Sequence, residues 1–211
     1  MAGNPFIKEN GFLCGLDEVG RGPLAGPVCA AAVILPDDFP LDILNDSKKL
    51  SPAAREKARI VICTGAWGWG LGWVTAAEID DINIHRASLL AMKRAFLAMS
   101  LGKEKAIESR EKPADGIPAP EKIRAVADGL FIPDIPVPCD ALVKADSIVP
   151  EVMAASILAK TARDRLMEYY DIFYPEYGYA KHKGYPTKAH REAILRFGPS
   201  PIQRMSFSVK P

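Results

Sequence analysis

Much that would classify this chain quickly is missing from it. Its 211 residues carry 27 basic and 26 acidic side chains for a net charge of +1, so no global field marks a polyanion partner and a nucleic-acid site has to be local. The four cysteines, Cys14, Cys29, Cys63 and Cys139, show neither a CxxC pair nor Cys/His spacing. Three of them sit in apolar runs, where thiols act as small hydrophobes, and the pattern suits a reducing, cytoplasmic location. The start of the chain has no basic, apolar and small-residue succession of a secretion signal. No run approaches the ~20 apolar residues that span a bilayer: the longest, residues 28–35, is closed by Pro27 and Pro36, too short for a membrane-spanning helix, and predicts a buried central strand. Neither GxxxxGK[ST] nor a strand-linked GxGxxG occurs, so the common nucleotide-binding loops are excluded.

What is present is one domain's worth of alternating elements, long enough to bury roughly 70% of its unfolded surface. Residues 11–17 and 28–35 read as strands joined by a Gly/Pro-rich turn. Ser51 and Pro52 cap and open a helix running to about Cys63. Residues 66–74, with Trp67, Trp69 and Trp73 alternating with small residues, predict a third strand whose tryptophans serve as core or lid packing. Residues 80–99 have helical apolar spacing, whereas 125–127 and 141–145 look like strands running into Asp128 and Asp146, which places those acids at strand exits or strand-to-helix turns. Pro150 opens a long helix to Phe173, and Thr187 caps a last one ending at Gly198. This order predicts an α/β fold with a mixed sheet flanked by helices. Residues 102–121 form a charged, Pro-containing stretch without periodicity, expected as a solvated loop.

The candidate site starts at Gly15-Leu16-Asp17-Glu18-Val19-Gly20-Arg21-Gly22. Adjacent strand residues point to opposite faces, so Asp17 and Glu18 share a face only where the strand ends. The glycines that follow let another backbone come close and let amide N–H groups meet anionic or hydroxyl oxygens. Asp17, Glu18, Asp128 and Asp146 each border an apolar, strand-like run, and three strand ends on one side of a sheet would gather them. Two like charges 4 Å apart repel by about 4 kcal/mol at an effective dielectric of 20, so such a cluster takes up protons or binds metal. Carboxylates without His or Cys select hard ions such as Mg2+ or Mn2+, which also accept phosphate oxygens as ligands.

The first motif, extended through Pro23-Leu24-Ala25-Gly26-Pro27-Val28, resembles the signature of ribonuclease HII, the bacterial type 2 ribonuclease H. The likeness continues through Asp46-Ser47-Lys48-Lys49-Leu50, Glu78-Ile79-Asp80, Asp128-Gly129, Lys144-Ala145-Asp146-Ser147 and Ala154-Ala155-Ser156-Ile157-Leu158-Ala159-Lys160. It ends with His182-Lys183-Gly184-Tyr185-Pro186-Thr187 and Arg204-Met205-Ser206-Phe207. The resemblance implies an RNase H-like fold with a five-stranded mixed sheet: one catalytic domain with a core over 11–175, a helical substrate-binding part over 176–211 and an insertion at 102–121. It implies hydrolysis of the RNA strand of RNA/DNA hybrids, and cutting 5′ of single ribonucleotides in duplex DNA to leave 3′-hydroxyl and 5′-phosphate ends. Asp17, Glu18, Asp128 and Asp146 would then be the catalytic ligands of two Mg2+ or Mn2+ ions. The resemblance further implies that Gly20, Arg21 and Gly22 read the ribose 2′-hydroxyl while Tyr185 packs on the next sugar.

Ser47, Lys48, Lys49 and Lys183 are expected to touch phosphates, with Lys181, Lys188 and Arg191 nearby. Arg204 and Ser206 are assigned as supports of the duplex-binding surface, and His182 as structural or a phosphate neighbour rather than a general base. The expected partners are RNA/DNA hybrids and ribonucleotide-containing duplexes, bound by a monomer, with no clamp-binding tail after Phe207. Two other readings compete: another metal nuclease of the same fold, which the Gly-Arg-Gly turn and Tyr185 oppose, and a non-catalytic duplex-binding module, which would lack one of the acids.

Overall fold

The computed structural model describes residues 11–45, 47, 49–101 and 119–208. Its centre is β1 (Phe12–Val19), antiparallel to β2 (Val28–Ile34) and parallel to β4 (Ile123–Asp128). With β3 (Gly68–Val74) and β5 (Cys139–Leu142) outside them, the five-stranded sheet has the order β3-β2-β1-β4-β5. β1 runs two residues further than expected, so Asp17 and Glu18 both lie within a strand.

Strand alternation sorts β2 between two cores. Ala30, Ala32 and Ile34 face a cluster completed by α3 (Ile84–Leu101), whose Ala87, Ala91, Ala95 and Phe96 meet the sheet at helical spacing. Cys29, Ala31 and Val33 face the other way, against Ala58 and Ile62 of α1 (Pro52–Gly65) and Ala155, Leu158 and Ala159 of α4 (Pro150–Phe173). Fully burying a Val, Leu or Ile side chain stabilises by about 1.5–3 kcal/mol, which is why this run has no polar face. Small residues set the layer spacing: a Cβ on Gly15 would run into the Glu151 backbone, so the first turn of α4 rests directly on β1.

The expected helix over 80–99 is two helices. Thr75 and Glu78 form a reciprocal capping box at the start of α2 (Ala76–Ile82), which ends at Asn83 with φ 69°. Asn83 Oδ1 then accepts the His85 and Arg86 N–H groups at 3.0 and 3.1 Å and so caps α3. α1 begins as expected, with Ser51 Oγ accepting the Ala54 N–H at 3.2 Å. Beyond α4 the chain makes a single turn over Pro175–Tyr177, the short α5 (Tyr179–His182) and α6 (Lys188–Phe197) capped by Thr187. Of the tryptophans, Trp67 packs on Phe12 in the core and Trp73 is partly buried, whereas Trp69 is 40% exposed and donates to Cys63 O. The four cysteines are free, and the expected insertion falls almost wholly on 102–118, outside the described residues.

Candidate active site

The register gathers the acids. Leu16 pairs with Ala127 across parallel strands, so Asp17 and Glu18 lie beside Asp128 at the same end of the sheet. Asp128 in turn pairs with Leu142 at the end of β5. Asp146, expected at a strand exit or a strand-to-helix turn, lies at the latter: on a one-turn helix, Ala145–Ser147, which follows β5 and is entered through Lys144 at φ 62°. The Asp128 carboxylate accepts the Ala145 N–H at 2.7 Å, tying that helix to β4. All four acids line one cleft of about 460 Å³, together with Val19, the Gly20-Arg21-Gly22 turn, Ser47, Ser156, Lys160 and Tyr185.

The electrostatics follow from that crowding. Asp17 is 6% exposed and takes the Glu18 N–H at 2.8 Å. Burial holds its carboxyl well above the usual range, and the Glu18 and Asp128 charges add to this while the Ser156 hydroxyl opposes it. Burial also raises Glu18, against the pull of the Arg21 guanidinium 3.2 Å away. Lys160 lines the cleft, but its ammonium is drawn to Asp164 at 2.7 Å. Such a set gains most from a cation. Its all-oxygen donors fit a hard divalent ion of the Mg2+ or Mn2+ type. Among the described residues no three acidic, His or Cys side chains stand close enough to enclose an ion as drawn. Glu18 is turned to Arg21, and the Asp128 carboxylate accepts from the Ala145 N–H.

The turn beside the acids is held from below. Gly20 has φ 94°, and a side chain there would strike Arg163. Arg163 and Arg204, both without exposure, spend their guanidinium donors on backbone carbonyls of residues 20–27 and of Lys183. Arg204 therefore belongs to the interior and not to a binding surface. Burial, then the Arg163 charge, lowers its pKa to about 9, still cationic at neutral pH. The Tyr185 ring lies next to Gly22, 3.7 Å from where a Cβ would stand there. Its backbone carbonyl accepts from Thr187 N–H at 2.8 Å and pairs with His190 Nδ1 at 3.0 Å. His182 stacks on His190 at 4.4 Å with Nε2 on Tyr177 O, a structural place as expected.

The basic residues fare less well. Lys183 Nζ is 2.7 Å from Glu168 and 2.6 Å from Ala180 O, and it does not line the cleft. Ser47 does line it, buried against the Ser156 hydroxyl at 2.9 Å, whereas Lys49 is exposed outside it and Lys48 lies outside the described residues. Ser156 and Lys160 were not assigned a role from sequence. Their i,i+4 spacing on α4, which puts both on one helical face, was the available signal.

A five-stranded mixed sheet, helices on both faces and a carboxylate-lined cleft at the end of its central strands define a nuclease-like α/β fold. Solved structures share it: ribonuclease H2 from Pyrococcus horikoshii OT3 (TM-score 0.64, 24% identity, 94% of each chain covered) and the RNase HII of a PCNA complex from Archaeoglobus fulgidus (0.65, 24%, 95% of this chain and 96% of that one). Bst-RNase HIII, solved with Mn2+, is also similar (0.66, 18%, 95% and 68%). The fold is thus RNase H-like. The family model described as Ribonuclease HII matches residues 14–210. Ribonuclease HII of Treponema denticola is 55% identical over 203 residues, 94% of this chain and 99% of that protein. That of Moorella thermoacetica is 45% identical over 195 residues, 92% and 85%. The chain belongs to the ribonuclease HII family, and is an endoribonuclease of the ribonuclease H type acting on nucleic acid. No described helix is long and apolar enough to cross a membrane.

Proposed function

We propose that this enzyme hydrolyses the RNA strand of RNA/DNA hybrids and cuts 5′ of single ribonucleotides embedded in duplex DNA, leaving 3′-hydroxyl and 5′-phosphate ends. One observation carries the reading: Asp17, Glu18, Asp128 and Asp146 line the same cleft as the Gly20-Arg21-Gly22 turn and Tyr185. The four carboxylates would hold two divalent ions, Mg2+ or Mn2+. Such ions supply Lewis acidity, polarising the scissile phosphate and making water a better nucleophile at neutral pH.

The remaining work falls to the chain. Asp17 is poised to give up its raised proton affinity when positive charge arrives, because the causes of that affinity are burial and its acidic neighbours. Glu18 would be one of the residues that hold an ion, and the Arg21 guanidinium it now contacts, half exposed at the cleft edge, suits a substrate phosphate. The backbone of the turn meets the ribose 2′-oxygen, the group by which RNA differs from DNA at a given site. The Tyr185 ring beside Gly22 offers a flat wall for the sugar that follows.

The test is a DNA duplex carrying one ribonucleotide, incubated with Mg2+, Mn2+ or chelator, with product ends mapped. Metal-dependent cutting on the 5′ side of the ribonucleotide is expected. Cutting elsewhere, or cutting that persists in chelator, would overturn the reading.

A further inference from the structure

Three stretches singled out in the sequence, Gly20-Arg21-Gly22, Glu78-Ile79-Asp80 and Arg204-Met205-Ser206-Phe207, meet in one chain of hydrogen bonds. Arg204 donates to Gly20 O at 2.6 Å through one terminal nitrogen, to Arg21 O at 3.0 Å through the other, and to Gly26 O at 2.9 Å through Nε. Its own segment is fixed from behind. Asp80 accepts the Met205 and Ser206 N–H groups at 2.8 and 2.9 Å and the Ser206 hydroxyl at 2.5 Å. The Arg204 N–H donates to Leu24 O at 2.9 Å, and the Phe207 ring lies under the guanidinium at 5.0 Å.

A planar trans peptide fixes what this does to the turn. The Gly20 carbonyl and the Arg21 N–H belong to one peptide unit and point in opposite directions, as do the Arg21 carbonyl and the Gly22 N–H. Drawing both carbonyls down onto a buried guanidinium therefore turns both N–H groups outward. Residues 20–22 line the cleft and Arg204 does not, so outward is into the cleft. Among the described residues no hydrogen bond engages the N–H of Arg21 or Gly22. Glycine on both sides of Arg21 leaves this short turn free to flip, and a flipped peptide would present a carbonyl where a donor is needed.

We propose that Arg204, anchored by Asp80, is the positioning residue that holds the Arg21 and Gly22 amides toward the substrate's 2′-oxygen. Discrimination between ribose and deoxyribose then depends on a side chain that never touches nucleic acid. The proposal rests on the reading that this turn meets the 2′-oxygen, and deepens it. A lysine cannot replace the arginine, since one ammonium cannot hold two adjacent carbonyls in the fixed fork geometry of a guanidinium.

The experiment uses full-length protein made catalytically silent by Asp17→Asn, in Mg2+. Fluorescence anisotropy reads its affinity for two duplexes of one sequence, one all-DNA and one carrying a single ribonucleotide. Arg204→Met and Arg204→Lys are expected to shrink the affinity ratio between the duplexes about tenfold while all-DNA affinity stays within about twofold. A merely structural role would lower both affinities together, and that result, or an unchanged ratio, overturns the proposal. Thermal melting checks folding. Should the Arg204 variants not fold, Asp80→Asn loosens the same segment from behind and is expected to shrink the ratio about threefold, an unchanged ratio again overturning the proposal. If the Asp17→Asn protein with Arg204 and Asp80 intact shows no preference between the duplexes, the underlying reading fails instead.

Discussion

Asp128 and Ala145 are joined by a 2.7 Å hydrogen bond from the Ala145 N–H to the Asp128 carboxylate. Through it the end of β4 and the one-turn helix carrying Asp146 become a single unit, and two of the four acids share one support. Asp128 thus has one carboxylate oxygen committed to the backbone of the segment that carries Asp146.

Asp17→Asn separates catalysis from folding. Cleavage should fall on the order of a thousandfold, about 4 kcal/mol of barrier, while hybrid binding persists, because a metal ligand and not a phosphate contact is lost. The melting temperature in chelator should rise, since a carboxylate whose charged form is disfavoured by burial and by Glu18 has been replaced by a neutral amide. Retained cleavage would remove Asp17 from the catalytic set.

Divalent ions should stabilise the wild-type protein by mass action. Mg2+ or Mn2+ at a hundred times its dissociation constant adds about 2.7 kcal/mol, a rise in melting temperature of roughly 5–10 °C for a chain of this size. Differential scanning calorimetry of Asp128→Asn should show most of that rise gone. An equal rise in the variant would place the ion elsewhere.

Tyr185→Ala should slow cutting at a lone ribonucleotide about tenfold or more, because the ring beside Gly22 is the flat surface at that end of the cleft. Tyr185→Phe is expected to slow it as well. Single-turnover rates on the one-ribonucleotide duplex check this, and unchanged rates would take Tyr185 out of the site.

Lys183 was expected from sequence to touch phosphate, but Glu168 and Ala180 O hold its ammonium. Lys183→Met should therefore leave the slope of log affinity against log salt almost unchanged. Arg21→Met should reduce that slope by close to one contact. A slope reduced as much by Lys183→Met as by Arg21→Met would restore Lys183 as a phosphate contact.

Stability should carry a histidine signature. Burial lowers the pKa of His190 and of His182, with Tyr185 O and Tyr177 O pulling the other way, and Asp171 and Lys183 acting on His182. The unfolded chain then binds these protons more tightly, so stability drops as pH falls below the unfolded value of about 6.5. Melting temperatures from pH 5 to 8 should show the gap between wild type and His190→Phe closing toward the acid end. A gap independent of pH would exclude the pair as its source.

Elements announced by local chemistry were legible in the sequence. Pro150 and the apolar spacing after it place α4, and Ser51-Pro52 opens α1. The break at Asn83 was missed although Thr75 and Glu78, spaced as a capping box, announce a helix starting before residue 80. Asp146 reads as a strand exit or a strand-to-helix turn because an apolar run precedes it, and nothing local reveals the left-handed Lys144 through which its one-turn helix is entered. The gathering of Asp17, Glu18, Asp128 and Asp146 in one cleft could be expected from sequence because carboxylates at several apolar borders make sense together. Arg163 could not, and Arg204 reads only as a support of the duplex-binding surface, since an arginine reads as surface until the carbonyls that surround it are assembled from residues 20–27. Lys183 failed for the opposite reason: the acid that claims it is fifteen residues away, on α4.

Gly15 has one more implication, for anyone wishing to make this enzyme more heat-resistant. Swapping glycine for alanine commonly stiffens a protein by narrowing what its unfolded chain can do. At this position the added methyl would lever α4 away from β1, two residues upstream of Asp17 and at the helix turn that follows Asp146. A hardier scaffold obtained that way would have the acids that line its cleft spread apart.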